Sequence, residues 1–368
     1  MTVGYKTAGA WALSVGMPVA VLLWTLIWNG WQVDAPVQTT AAYIFLWAAQ
    51  YAMWSWPAVQ ACTVLLFLQT FLQLFFRYDV TLPTLWPTFV ACGNVWGLFL
   101  SGLFYKYGSR PGATIQDWYS GIDLHPMYRG VDVKLFIASR IGMMSWALAV
   151  MHALCDWVKA DSLPPISVFV VSALQLLYIL RFFTWEKEYL LTMDQQHDRA
   201  GFYICWGCMA YIPALYWLSA VLSSPGMFES GVAMSRNASL FFGILGVASI
   251  YGVSLIDEQK TRVRANPHCF VAGRPATYIK TKKETLLLTC GAWGTARHLH
   301  YLFELCAAVC WTAPVAGTCV WGYAYCAYLA ILLVNRVYRD DDRCREKYGV
   351  DWEEYCRQVP YKIIPGVF

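Results

Sequence analysis

The chain has 368 residues, of which 58% are hydrophobic, 17% aromatic and only 14% charged, with a net charge of +4. A soluble domain carries about 25% charged residues, so the composition excludes an ordinary water-soluble globule. It points to an integral membrane protein, whose backbone only helices or a closed barrel can satisfy in lipid.

The apolar runs are continuous and roughly 16–22 residues long, without period-2 alternation, which predicts helices. Spans are expected near 10–28, 40–56, 58–76, 85–105, 135–156, 166–184, 202–222, 239–256, 297–311 and 319–335, about ten in all. The first run is longer than the apolar core of a leader and lacks a small-residue cleavage site, so it is expected to stay as a span. The stretch from Ala41 to Phe76 exceeds one span, and Pro57 is its natural break. The stretch from Tyr301 to Val334 also exceeds one span and predicts a hairpin turning at Thr312–Gly317. The fold expected is a single all-α polytopic membrane domain, with N-terminal helices over 1–110, a middle part over 115–256 and a C-terminal part over 257–368.

In chain order, the first polar element is GIDLHPMYRGVDVKLFIASR, residues 121–140. Asp123, His125, Lys134 and Arg140 lie at or just inside the fifth span, and an intramembrane arginine is paired or functional. The second is TWEKEYLLTMDQQHDRAGFYICWG, residues 184–207, with Glu186, Glu188, Asp194, His197 and Asp198. If it is helical, Asp194 shares a face with His197 and Asp198. Carboxylates in a dry pocket hold protons longer and donate them; a solvated loop between spans is the plainer alternative. Cys205 and Cys208 form a CxxC without a second pair and read as small packing residues. The thirteen cysteines are odd in number and irregularly spaced, which argues against a disulfide framework.

Fourteen of the 27 Lys and Arg fall in two segments. Lys260, Arg262, Arg264, Arg274, Lys280, Lys282 and Lys283 form one loop. Arg336, Arg339, Arg343, Arg345, Lys347, Arg357 and Lys362 form the tail. By the positive-inside rule both face the cytosol, which one hairpin between them allows. Because Asp and Glu are mixed in, nucleic acid is not the expected partner. Lys260 and Arg264 share a helical face, as do Arg336, Arg339, Asp340 and Arg343. Guanidinium forks suit phosphate oxygens and a carboxylate suits ribose hydroxyls. Trp293, Tyr301, Tyr348 and Tyr355 offer faces for flat rings. Salt-bridged helix ends with interfacial aromatics are the alternative account. His298 and His300 do not share a helical face and lack a second ligand cluster, so no metal is expected.

The motifs Trp293-Gly294-Thr295-Ala296-Arg297-His298-Leu299-His300-Tyr301 and Arg336 through Tyr355 resemble the sterol reductases of the Δ14/Δ7/Δ24 type. That group includes the sterol-reductase domain of the lamin B receptor. The resemblance covers roughly residues 115–368. GIDLHP, VDVKLFIASR, TMDQQHD and the terminal VPYKIIPGVF are similar to the family's Δ7 branch. The resemblance implies about ten helices in the endoplasmic reticulum membrane, with an NADPH pocket facing the cytosol in the C-terminal half. It implies reduction of the C7=C8 bond of a Δ5,7 sterol such as 7-dehydrocholesterol, with Δ14 or Δ24 reduction as the alternative. Sterol, lipid bilayer and other membrane proteins of sterol biosynthesis are the partners implied.

The family's cofactor contacts map onto Lys260, Arg264, Leu288, Trp293, Arg297, His300, Tyr301, Arg336, Asp340, Cys344, Arg345, Glu346, Lys347, Tyr348 and Tyr355. Asp194, His197 and Asp198 are the expected proton-delivery group, with Tyr301 as a relay. The chain departs from the family pattern with His300 for Asn, Phe303 for Gly, Glu304 for Asp, Ala200 for Phe and Ile141 for Pro. Two further readings stand beside this one. A membrane methyltransferase of the isoprenylcysteine type shares an Arg-His pair and a Tyr-Gly run, with S-adenosylmethionine as its cofactor. A non-catalytic sterol-binding scaffold would keep the fold alone.

Overall fold

The computed structural model describes residues 48–75, 81–108, 111, 113–228 and 231–368. The expected span at 10–28 lies outside the described residues, as does 40–56 except for a helical stretch at 48–52 that turns over 53–55 ahead of Pro57. The described residues gather in two compact units that divide in sequence between Ala233 and Met234.

The first unit contains helix α1 (Ala58–Phe75), α2 (Leu82–Gly108), the capped single turns of α3 (Ile115–Ser120) and a two-residue hairpin, β1 (Met127–Tyr128) with β2 (Val131–Asp132). Helices α4 (Val133–Lys159) and α5 (Ile166–Thr184) follow, then the short turns α6 (Glu186–Tyr189) and α7 (Met193–Gln196), then α8 (Phe202–Leu222). The second unit contains α9 (Arg236–Ala265), two hairpins, and α10 (Gly291–Thr295). The hairpins pair β3 (Phe270–Val271) with β4 (Arg274–Pro275), and β5 (Tyr278–Lys280) with β6 (Leu286–Leu288). Helices α11 (Leu299–Ala316), α12 (Val320–Tyr348) and α13 (Val350–Gln358) complete it.

Seven of these helices, α2, α4, α5, α8, α9, α11 and α12, are long and apolar enough to cross a membrane. α1 is apolar over Ala58–Phe71, a shorter run. The chain is therefore a multi-pass helical membrane protein. Two boundaries differ from those expected. The turn after α11 falls at residues 317–319, not at Thr312–Gly317, and Pro314 lies inside the helix. An apolar surrounding keeps the remaining backbone bonds intact, so proline does not end a membrane helix as it ends an exposed one. The last span and the charged tail form one helix, α12, which runs on to Tyr348 and stops at Gly349.

Small residues set the contacts of the first unit. Gly93 and Gly97 of α2 face α8 so closely that a Cβ at Gly93 would lie 2.1 Å from the Met209 carbonyl oxygen. Two π-helical stretches, Phe136–Met143 in α4 and Ile212–Tyr216 in α8, widen the backbone where these helices pack; such stretches occur often at functional sites. An equally tight crossing joins the two polar segments. Gly121 (φ 90°) and Gly201 meet backbone to backbone, and a Cβ at Gly201 would stand 2.1 Å from the Gly121 nitrogen. The Ala200 N–H donates to the Asp123 carbonyl beside them, at 2.9 Å. Neither backbone can yield to a methyl group. Gly201→Ala is expected to cost about 3 kcal/mol or more, the upper range for overpacking, read as a lower thermal inactivation midpoint in detergent. A midpoint equal to wild type would show that this crossing does not hold the segments together.

Candidate functional site

In the first unit, the polar segments 121–140 and 184–207 converge on one side chain. Lys134, in the first turn of α4, is fully buried. Its ammonium donates to the carbonyl oxygens of Asp194 (3.0 Å), Gln195 (2.9 Å) and Asp198 (2.9 Å). Each such charge-assisted bond contributes about 1.5–3 kcal/mol, and together they satisfy all three ammonium protons. The turn start is fixed from the other side by Asp132, which caps Leu135 N–H through Oδ1 (3.0 Å) and meets His125 Nδ1 through Oδ2 (2.6 Å).

The expectation of a helical face joining Asp194, His197 and Asp198 does not hold. Helix α7 covers only Met193–Gln196, and His197 leaves it at φ −134°. The Asp198 N–H turns back to the Met193 carbonyl (3.1 Å), and Lys134 takes up the carbonyls of Asp194, Gln195 and Asp198. Asp198 ends up buried, Asp194 half-buried and His197 exposed. Glu186 separates from this group. Arg140 forks onto its carboxylate, with Nη2 3.2 Å from Oε2, and Ser139 donates to it as well. The Arg140 guanidinium also lies over the Trp54 ring at 5.3 Å. The intramembrane arginine is thus paired.

In the second unit, consecutive strand residues point to opposite faces, so β6 is packed on both. Leu288 joins a core with Ile256, Val263, Val271 and Trp293, while Leu287 joins Cys344, Trp352, Tyr355 and Val359. Trp293 is locked in place by three contacts. Its indole N–H donates to the Ile256 carbonyl (2.8 Å), its own carbonyl accepts from the Tyr355 hydroxyl (3.2 Å), and the Lys260 ammonium sits over its ring at 4.6 Å. Burial pushes the Tyr355 phenol up, which keeps it protonated as that donor. Gln259 was not singled out in the sequence. It accepts from Ala292 N–H (3.0 Å) and abuts Gly291, where φ is 59° and a Cβ would meet Gln259 Oε1 at 2.4 Å. Its only sequence signal is that it precedes Lys260.

Four rings and one carboxylate complete the cluster. His300 lies 5.2 Å from Trp293 and 4.3 Å from Tyr301, and His298 stacks on Tyr301 at 5.2 Å with the planes 7° apart. Asp340 Oδ2 is 3.6 Å from His298 Nε2; Asp340 also pairs with Arg343 and accepts a weak bond from the Cys344 thiol (3.8 Å). Arg297 is buried, with its N–H donating to the Tyr361 carbonyl (3.0 Å) and its guanidinium 5.9 Å from the Trp352 ring. Arg336 is half-buried one turn before Asp340, on the same helical face. Arg264 is exposed one turn beyond Lys260, and its guanidinium interacts electrostatically with Tyr348 and Cys344.

The 344–348 run divides. Cys344 is buried and Tyr348 half-buried, whereas Arg345, Glu346 and Lys347 are exposed. Arg345 reaches Asp341 at 3.5 Å, and Lys347 lies over the Tyr348 ring at 5.0 Å. The cluster therefore gathers Lys260, Leu288, Trp293, His300, Tyr301, Asp340, Cys344 and Tyr355 of the expected residues, with His298 and Arg343 added.

Two departures from the family pattern have structural counterparts. The Phe303 ring packs against Gly252 of α9, where a Cβ would meet Phe303 Cδ1 at 2.5 Å. His300 sets its ring, tilted, against Trp293 and Tyr301.

The architecture is that of a polytopic helical membrane protein whose C-terminal unit gathers cations, imidazoles and aromatic faces near the Asp340 carboxylate. The chain belongs to the ergosterol biosynthesis ERG4/ERG24 family, which matches residues 46–368. It is 40% identical over 269 residues to the 7-dehydrocholesterol reductase of Arabidopsis thaliana, covering 70% of this chain and 61% of that protein. It is 34% identical over 282 residues to the Delta(14)-sterol reductase of Methylotuvimicrobium alcaliphilum, covering 76% and 64%. It is 33% identical over 262 residues to the Delta(14)-sterol reductase TM7SF2 of Mus musculus, covering 71% and 61%. The chain thus spans less than two thirds of the length of these curated relatives.

Burial, followed by His300 and the nearby Lys260 and Arg297 cations, pushes the His298 imidazole down to about 3, against a partial opposing pull from Asp340. The unfolded chain therefore takes up this proton near pH 6.5 and the folded chain only near pH 3. Stability is lost as pH falls through that window, by about 1.4 kcal/mol per pH unit from this one group. His298→Gln is expected to flatten the fall in melting temperature between pH 6.5 and 4.5. The same slope in both proteins would contradict a buried neutral imidazole.

Proposed function

We propose that the protein is an NADPH-dependent sterol reductase that saturates the C7=C8 bond of a Δ5,7 sterol such as 7-dehydrocholesterol. The observation that carries this is the second unit's surplus of positive charge beside buried aromatic faces. Lys260 and Arg343 act on the Asp340 carboxylate, and Arg264, Arg297 and Arg336 lie in the same unit. Grouped cations beside flat aromatic faces suit a polyanion that carries rings, and the donor set fits a dinucleotide carrying a 2′-phosphate. An uncharged adenosine ribose, as in S-adenosylmethionine, does not call for so many. Lys260, Arg264, Arg336, Asp340, Arg345, Glu346, Lys347 and Tyr348 are assigned to phosphates and ribose. Trp293, Arg297, His300, Tyr301 and Tyr355 are assigned to ring positioning, with Leu288 and Cys344 packing behind them. The cofactor, when bound, supplies hydride.

The protein's other task is the proton. A sterol alkene accepts hydride only as positive charge develops on carbon, so an acid must protonate it. Asp194, His197 and Asp198 are assigned to proton delivery, Asp198 foremost because it is buried, and Tyr301 is assigned as a relay. Residues 115–256 are assigned to the sterol and 257–368 to the cofactor. The setting is the endoplasmic reticulum membrane with the cofactor side in the cytosol, where other membrane proteins of sterol biosynthesis are the protein partners. The Arabidopsis relative's name favours the C7=C8 bond; the Delta(14)-sterol reductases at 33–34% identity make C14=C15 the second reading.

Membranes containing the protein, given NADPH and separately a Δ7, a Δ14 or a Δ24 sterol, are expected to convert 7-dehydrocholesterol to cholesterol by mass spectrometry. Product from the Δ14 sterol alone would move the assignment to the second reading. No product from any sterol would point to the scaffold. Asp340→Asn is expected to raise the KM for NADPH about tenfold, the loss of one charge-assisted contact. Asp198→Asn is expected to lose turnover by about 100-fold or more while NADPH still binds. Loss of NADPH binding in Asp198→Asn would remove it from the proton path.

A further inference from the structure

We propose that Lys134 is the positioning residue of the proton-delivery turn, fixing the backbone of Asp194–Asp198 and supplying the counter-charge for its carboxylates. The inference rests on the assignment of those carboxylates to proton delivery.

The geometry is unusual for a lysine at the start of a membrane helix. An ammonium near the end of a span ordinarily snorkels its head to water. Lys134 does the reverse. It is fully buried and spends its three N–H bonds on three carbonyl oxygens of one five-residue turn. A neutral amine has only two N–H bonds and would leave one of these carbonyls without its partner, so the triad of acceptors selects the charged form. The turn has little helix of its own. Helix α7 is a single turn, and Thr192 at its N-cap offers no side-chain bond to it. Without the clamp, four residues of helix are far below the length that is stable alone.

The same ammonium is electrostatically coupled to both turn carboxylates. The charged and titratable groups that face it are Asp132 at the cap of its own helix, Asp194 and Asp198 on the turn, and the Cys205 thiol of α8. Asp132 is already engaged with His125 and the Leu135 N–H. The Lys134 charge acts on Asp198 and Asp194 as well as on Asp132. A cation that only tied the fold together would set the turn's position and leave its proton affinity alone; this one acts on both.

The two roles separate in two variants. Lys134→Met removes the bonds and the charge. Lys134→Arg keeps the charge but cannot converge three donors on the same carbonyls, because its fork is planar. In both, amides 194–201 are expected to exchange hydrogen at least about tenfold faster than in wild type. In Lys134→Met, kcat for sterol reduction is expected to fall about 10–100-fold, the effect of a misplaced acid, with the KM for NADPH unchanged. The alkaline limb of its kcat profile is expected to move up by about one pH unit, since loss of a nearby cation favours the protonated acid. In Lys134→Arg the limb is expected to stay at the wild-type pH.

Unchanged amide exchange in both variants would overturn the clamp. Faster exchange with an unmoved limb in Lys134→Met would reduce Lys134 to a structural cap and overturn the counter-charge role. If Lys134→Met does not fold, Lys134→Arg decides the clamp by exchange. The counter-charge is then read from Lys134→Gln, which keeps some hydrogen bonding without charge. A wild-type protein that reduces no sterol would mark the failure of the functional assignment itself, seen before any variant is made. The exchange measurement would still decide the clamp.

Discussion

The structure depends on how it disposes of buried ammonium groups. Removing a lysine head from water costs several kcal/mol even after relaxation, and the protein does this twice in different ways. Lys134 is surrounded by oxygen atoms of its own backbone, which satisfy every proton it carries. Lys260 is held over the face of Trp293, with Arg264 adding like charge one turn away and Asp340 as the nearby countercharge. The first arrangement is complete and leaves little for a ligand to add. The second sets Lys260 and Arg264 among the Asp340 and Asp257 carboxylates, beside an aromatic face. The same residue type thus builds a rigid turn in one unit and a charged aromatic cluster in the other.

Glycines make both arrangements reachable. The Lys134 clamp needs the 194–198 turn to lie against the start of α4, and the Gly121–Gly201 crossing brings the two segments to backbone contact. In the second unit, Gly291 gives Gln259 the room to hold the N-terminus of α10, and α10 presents Trp293. A methyl group at any of these places strikes backbone or a fixed amide. The polar chemistry therefore rests on close approaches that only glycine permits, and in a single sequence these glycines look like any other.

What could be read from the sequence followed physical scale. Spans of twenty apolar residues announce themselves because lipid demands length, and α2, α4, α5, α8, α9, α11 and α12 lie where the apolar runs predict them. Pro314 misled because its usual meaning belongs to water-exposed helices. The run from Arg339 to Arg345 reads as the end of a membrane segment, yet α12 continues through it, since charged residues are good helix formers once the chain leaves the apolar region. The grouping of Lys260, Trp293, Tyr301 and Asp340 was legible from cation spacing together with the family motifs. The shape of the 194–198 turn was not. It is imposed by Lys134, sixty or more residues away in the chain, and no local periodicity reports a tertiary cap.

The departures at 300 and 303 bear on how the cluster around Trp293 packs. Phenylalanine in place of glycine brings a ring where the family pattern has none, and such a gain is harmful when it displaces a neighbour. Here the ring lies on Gly252 of α9, whose missing side chain leaves it room, and it joins the partly buried fringe of the Ile256–Trp293 core. Histidine at 300 exchanges an amide for an imidazole that lies tilted against Trp293 (5.2 Å) and Tyr301 (4.3 Å), with His298 at 5.9 Å. Both substitutions change rings that pack beside Trp293. That indole is fixed independently by the Ile256 carbonyl, the Tyr355 hydroxyl and the Lys260 ammonium, so its place does not hang on position 300 or 303 alone.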